Sequence, residues 1–168
     1  KNGSIVWTSD GTGSISQGNT LTPTYTANAA DAGKTVILTM TITSTNTCNP
    51  NYATATYLVN VDPLPLAATN GSGNICANKS ITLNNGAATA QYGSILWTED
   101  GAGTITTGIN TLQPTYVADL GDGGKTVNLT MTVTSTNSCS PNKATAVFPV
   151  VVNPVPMASI TGTTTVTQ

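Results

Sequence analysis

Apolar and polar residues alternate along Lys125–Ser135. Val127, Leu129, Met131 and Val133 take every second place, with Asn128, Thr130, Thr132 and Thr134 between them. A period of two sends successive side chains to opposite faces, so the stretch predicts a strand with one face buried and one wet. The same pattern stands earlier, at 34–44, where Val36, Leu38, Met40 and Ile42 hold the inward places. Shorter alternating runs surround the second copy. They predict strands at 66–69, 80–84, 94–98, 103–107, 112–118 and 143–152, with turn residues every eight to twelve positions. No helical period of useful length interrupts them.

The two long strands belong to a larger repeat. Ile5-Val6-Trp7-Thr8 aligns with Ile95-Leu96-Trp97-Thr98, and Asp10-Gly11-Thr12-Gly13 with Asp100-Gly101-Ala102-Gly103, at an offset of 90. One inserted residue near Ile109 makes the offset 91. Pro23-Thr24-Tyr25 then aligns with Pro114-Thr115-Tyr116, and Asp31-Ala32-Gly33-Lys34 with Asp122-Gly123-Gly124-Lys125. A period near ninety residues fits a series of complete domains rather than a solenoid. Pro63 and Pro65 follow one copy, and Pro154 and Pro156 the next. Proline fixes φ and stiffens an extended connection, so these are expected joints. The expected organisation is an incomplete repeat at 1–62 lacking its first strands, a complete repeat at 63–153, and the start of a third at 154–168. The expected fold class is all-β: tandem sandwich domains of about seven strands. Trp7 and Trp97 share a face with Ile5 and Ile95, so they are expected in the core, as are Leu129 and Met131.

Composition sharpens this picture. Threonine supplies 34 of 168 residues, and β-branched side chains suit a pleated surface. Charged residues are 7% and the net charge is −2, against about a quarter charged in an average domain. Nucleic acid is excluded as a partner, because binding it needs a basic patch that releases counterions. No apolar run reaches the roughly twenty residues that cross a bilayer as a helix, so direct membrane insertion is not expected. Histidine is missing altogether, which removes the commonest general base and metal ligand. Glu99 and Asp100 are adjacent on a strand and point to opposite faces, a poor acid–base pair. The Asp-Gly segments at 100–103 and 122–124 lack the dense carboxylates of a calcium loop and read as turns. No catalytic residue, metal site or cofactor is therefore expected. The outward threonine rows read as β-propensity on a solvated face.

Cys76 precedes the second expected strand of the complete repeat, and Cys139 lies in the turn after its long strand. Cys48 is the counterpart of Cys139, and the counterpart of Cys76 would fall about fifteen residues ahead of Lys1. Each complete repeat would thus hold an even pair, and a Cys76–Cys139 disulfide is expected. It would contribute about 4 kcal/mol in the chain-entropy picture and implies an oxidising compartment.

The motifs G-S-I-x-W-T-x-D-G-x-G-x-I, L-x-P-T-Y, D-x-G-K-T-V-x-L-T-M-T and a closing V-x-V-x-P cover nearly the whole chain. Together they resemble the Ig-like, PKD-like tandem repeats of giant cell-surface adhesins of the Bacteroidota, in particular gliding-motility adhesins exported by type IX secretion. The resemblance implies an extracellular filament projecting from the outer membrane. It implies neighbouring repeats of the same chain as partners, with surface polysaccharide or substratum met through other regions. The rival expectation is a carbohydrate-binding accessory module of a secreted enzyme, which would need exposed aromatics on one face.

Overall fold

The computed structural model describes residues 3–47 and 51–162. Cys48 lies outside the described residues, as do residues 163–168 at the end of the expected third repeat. Two compact units divide the chain: Lys1–Leu64 with the turn Asn137–Ser140, and Pro65–Thr136 with Pro141–Gln168.

The first unit contains β1 (Gly3–Ser9), β2 (Ser14–Ser16), β3 (Thr24–Thr26), a 3₁₀ turn at Ala29–Asp31, β4 (Thr35–Ser44) and β5 (Tyr52–Asn60). These make a three-stranded antiparallel sheet in the order β1-β4-β5 and a two-stranded ribbon of β2 and β3. The second unit contains β6 (Leu66–Thr69), β7 (Gly73–Cys76), β8 (Ser80–Thr82), β9 (Ala88–Gln91), β10 (Gly93–Glu99), β11 (Thr104–Thr107) and β12 (Thr115–Val117). After a 3₁₀ turn at Leu120–Asp122 come β13 (Lys125–Ser135) and β14 (Lys143–Asn153). Its main sheet runs β10-β13-β14-β7, a second sheet runs β11-β12-β8, and β6 pairs with β9. All pairings are antiparallel except β14 with β7, which is parallel.

The fold is an all-β sandwich, and its core lies where the alternation places it. Trp97, Leu129, Met131, Val133, Val150 and Val152 project from the main sheet and are fully buried. Leu83, Ala88, Tyr116 and Ala118 close over them from the opposite side. The register sets Trp97 beside Met131 and Leu129 beside Phe148, so large side chains interdigitate across β10, β13 and β14. Each such fully buried aliphatic side chain contributes about 1.5–3 kcal/mol relative to exposure. The outward Thr130, Thr132 and Thr134 are half-buried, because β13 is flanked on both sides.

The second unit has nine strands among the described residues rather than about seven. The additional two are β7 and β9, four residues each. Their short sequences, Gly-Asn-Ile-Cys and Ala-Thr-Ala-Gln, carry too little alternation to announce a strand. β14 and β6, distant in sequence, hold them in place.

Candidate functional site

Around Tyr116, the second unit gathers its most polar buried cluster. β12 delivers Tyr116 to the interior, where it is 0% exposed. The 3₁₀ turn that follows begins with Asp119 as N-cap, in a capping box with Asp122. This local turn chemistry swings Asp122 inward, also to 0% exposure. The Tyr116 hydroxyl donates to Asp122 Oδ2 at 2.6 Å. The amides of Ala102, Gly103 and Asp119 donate to the same carboxylate at 2.6, 3.0 and 2.9 Å.

Gly101 and Gly103 make room for this arrangement. A Cβ on either would stand 2.6 Å from the Tyr116 hydroxyl oxygen, closer than side chains tolerate. Burial acts to raise the Asp122 pKa. The hydrogen bonds from Tyr116, Ala102, Asp119 and Gly103 outweigh it and hold the carboxyl below its usual range. Burial, with the charged Asp122 beside it, pushes Tyr116 up. A carboxylate satisfied by four donors is a tie between β12, the β10–β11 connection and the turn. It is not poised to exchange a proton near neutrality.

The first unit repeats the tie. Tyr25 donates to Asp31 Oδ2 at 2.6 Å, and the Thr12 amide and hydroxyl donate to Oδ1 at 2.7 and 2.8 Å. The hydrogen bond from the Thr12 amide, with those from Tyr25 and Asn28, lowers the Asp31 pKa. Sequence reading treats Asp122 as a turn former, uses Asp31 only to align the repeat, and misses this role. The available signal was the joint recurrence of Tyr25, Asp31, Gly11 and Gly13 as Tyr116, Asp122, Gly101 and Gly103.

Trp97 is buried as expected, and its indole N–H donates to Thr111 O at 2.8 Å. Trp7 makes the matching bond to Thr20 O at 2.9 Å and is half-buried. Asp100 accepts from the Asn128 amide and side chain at 2.7 and 2.8 Å, which lowers its pKa. Among the described residues no three His, Cys, Asp or Glu side chains gather as a metal site. No helix among them is long and apolar enough to cross a membrane.

The expected Cys76–Cys139 disulfide does not form: both are free thiols. The register gives the reason. Cys76 pairs with Asn153, at the final residue of β14. The turn carrying Cys139 leads into Lys143, the first residue of β14. Eleven residues of extended strand separate those ends, about 33 Å at the usual rise, whereas a disulfide needs Cα atoms within about 7 Å.

No protein-family model matches the chain, and no curated protein matches its sequence.

Proposed function

We propose that the chain is a non-catalytic, load-bearing segment of an extracellular adhesin stalk or filament, serving surface adhesion and gliding motility. In this reading each repeat is a bead, the proline stretches 63–65 and 154–156 are joints, and the filament is exported to the cell surface by type IX secretion. Neighbouring repeats are its immediate partners, and other regions of the parent chain meet polysaccharide or substratum.

One observation carries the mechanical reading. β7 lies near the start of the complete repeat and β14 at its end, and they pair in parallel from Gly73↔Val150 to Cys76↔Asn153. Pulling the two ends of the repeat apart drags these strands in opposite directions along their own axes. Every hydrogen bond of the ladder is then loaded at once, in shear, instead of opening one after another. β13 supports β14 from its other side through ten paired positions.

The carbohydrate-binding rival is poorly supported. Trp97 and Tyr116 are fully buried. The exposed tyrosines divide between the units, Tyr52 and Tyr57 in the first and Tyr92 in the second, with no exposed tryptophan beside them. Single-molecule pulling of the full chain between its ends tests the reading. The complete repeat should open in one step and release about 300 Å of contour for its 89 residues, 65–153. Val151→Pro, which removes an amide from β14 where that strand pairs with β7, should lower the opening force. An unchanged force in that variant, or gradual yielding of the parent, would refute the mechanical role.

A further inference from the structure

The two cysteines of the complete repeat sit at opposite ends of β14, and the internal repeat shows what each end meets. At one end, Cys76 is level with Asn153, and the next amide, Ala77 N–H, donates to Asn153 O at 2.9 Å. The counterpart of Asn153 in the preceding repeat is Asp62, 91 residues earlier. Within the first unit, the turn Asn137–Ser140 packs on that residue. Ser138 donates from its amide and hydroxyl to Asp62 Oδ2 at 3.1 and 2.6 Å. Asn137 Nδ2 donates to Pro63 O at 2.8 Å. The Cys139 thiol lies 3.5 Å from Asp62 O. That carbonyl is the counterpart of the one that takes Ala77 N–H.

β5 matches β14 residue for residue, as the shared register of Thr35↔Asn60 and Thr126↔Val151 shows. A strand of the β7 type laid parallel along β5 would therefore end with its cysteine beside Asp62, next to the Cys139 thiol. Adjacent strands stand about 4.8 Å apart, within the Cα separation that a disulfide spans.

We propose that the cysteines pair from one repeat to the next: the cysteine at the Cys76 position of each repeat bonds to the cysteine at the Cys139 position of the repeat that follows it. The two thiols lose two protons and two electrons as the sulfur–sulfur bond forms. A small-molecule disulfide such as glutathione disulfide accepts them and leaves as two thiols. The bond clamps each joint beside its prolines and passes tension from bead to bead covalently. It deepens the load-bearing reading but rests on the register and the Asp62 contact, not on the pulling behaviour.

The test extends the chain with its own repeat: residues 1–153, then 63–153 again, then 154–168, in a Cys48→Ser background. The reduced protein is first shown to unfold cooperatively. It is then treated with glutathione disulfide while folded, alkylated and mapped by mass spectrometry without reduction. The expected result is a peptide joining Cys76 of the first copy to Cys139 of the second. Alkylatable thiol should be lost at those two positions and retained at Cys139 of the first copy and Cys76 of the second. Cys76→Ser in the first copy should return Cys139 of the second to the free thiol. Free thiols at both positions in the folded protein, or a bond between Cys76 and Cys139 of one copy, would overturn the proposal. Either result would leave the pulling experiment standing, so the two readings fail separately.

Discussion

Removing the buried carboxylate of Asp122 should damage the second unit more than most single side-chain losses. Asp122→Ala strands four donors: the Tyr116 hydroxyl and the amides of Ala102, Gly103 and Asp119. A buried donor left without a partner costs about 1–3 kcal/mol. The Tyr116 hydroxyl has no route to water and bears the full cost. Ala102 is exposed, and its amide can recover part of its loss from solvent. The total comes to about 3–5 kcal/mol, typical of breaking one side of a buried charged network. For a domain of roughly ninety residues, this lowers Tm by about 15–30 °C.

Two companions separate the hydrogen bonds from the volume lost. Tyr116→Phe deletes one bond to a charged acceptor and should cost about 1.5–3 kcal/mol. Combined with Asp122→Ala it should cost less than the sum, because the two share that bond. Urea titration followed by tryptophan fluorescence reads one unit at a time once the other tryptophan is replaced by phenylalanine, since Trp7 lies in the first unit and Trp97 in the second. A loss below about 1 kcal/mol for Asp122→Ala, or strict additivity with Tyr116→Phe, would refute the tie.

Acid should unfold the chain. Asp31, Asp62, Asp100 and Asp122 all have folded pKa values below their unfolded ones, so each contributes stability that is full above about pH 4. That stability is lost as pH falls through the folded values, and circular dichroism from pH 7 to 2 should show it. Asp122→Asn, which cannot ionise, should flatten the acid dependence of the Trp97 signal. Gly103→Ala should destabilise the second unit, because the new methyl meets the Tyr116 ring and the Val117 carbonyl; thermal melting reads the loss. Met131→Ala should cost about 2–5 kcal/mol, as full-sized core truncations do. The same change at its counterpart Met40, only half-buried, should cost less in the same urea assay.

Local patterns announced most of the architecture because most of it is local. The alternation in β13 placed Val127, Leu129, Met131 and Val133 inside, where all four are at most 1% exposed. Trp97 followed from its spacing to Ile95. What escaped was decided by residues far apart in sequence. β7 is a strand because β14 runs beside it, and nothing in Gly73-Asn74-Ile75-Cys76 says so alone. The cysteines misled for the same reason: an even count says that bonds are available, and only the parallel register of β7 shows that Cys76 and Cys139 occupy opposite ends of one strand. The role of Asp122 was hidden because an aspartate in a turn has a sufficient local explanation. Its second function appears only when Tyr116 and the Gly101–Gly103 backbone are brought to it.

The chain also contains a comparison that separates strand sequence from burial. β4 and β13 are near-copies with the same inward residues, yet Met131 and Val133 are 0% exposed while Met40 and Ile42 are only half-buried. Phe148 and Tyr57 differ in the same direction, at 5% and 65%. The sheets that carry them have matching registers, so the strands cannot account for the difference. It arises on the opposite layer. In the second unit β6, β8 and β9, with Leu83 and Ala88, cover the inward face; the first unit has only β2 and β3 in that layer among the described residues. The alternation therefore specifies a direction for each side chain. The energy of burial comes from about twenty-five residues ahead of β10, whose own sequence is small, polar and weakly patterned. The hydrophobic signal thus lies in the long strands of the main sheet, and the closure in segments that look like loops. Substitutions at Leu83 or Ala88 should thus lower the stability of β13 as much as substitutions within β13 itself.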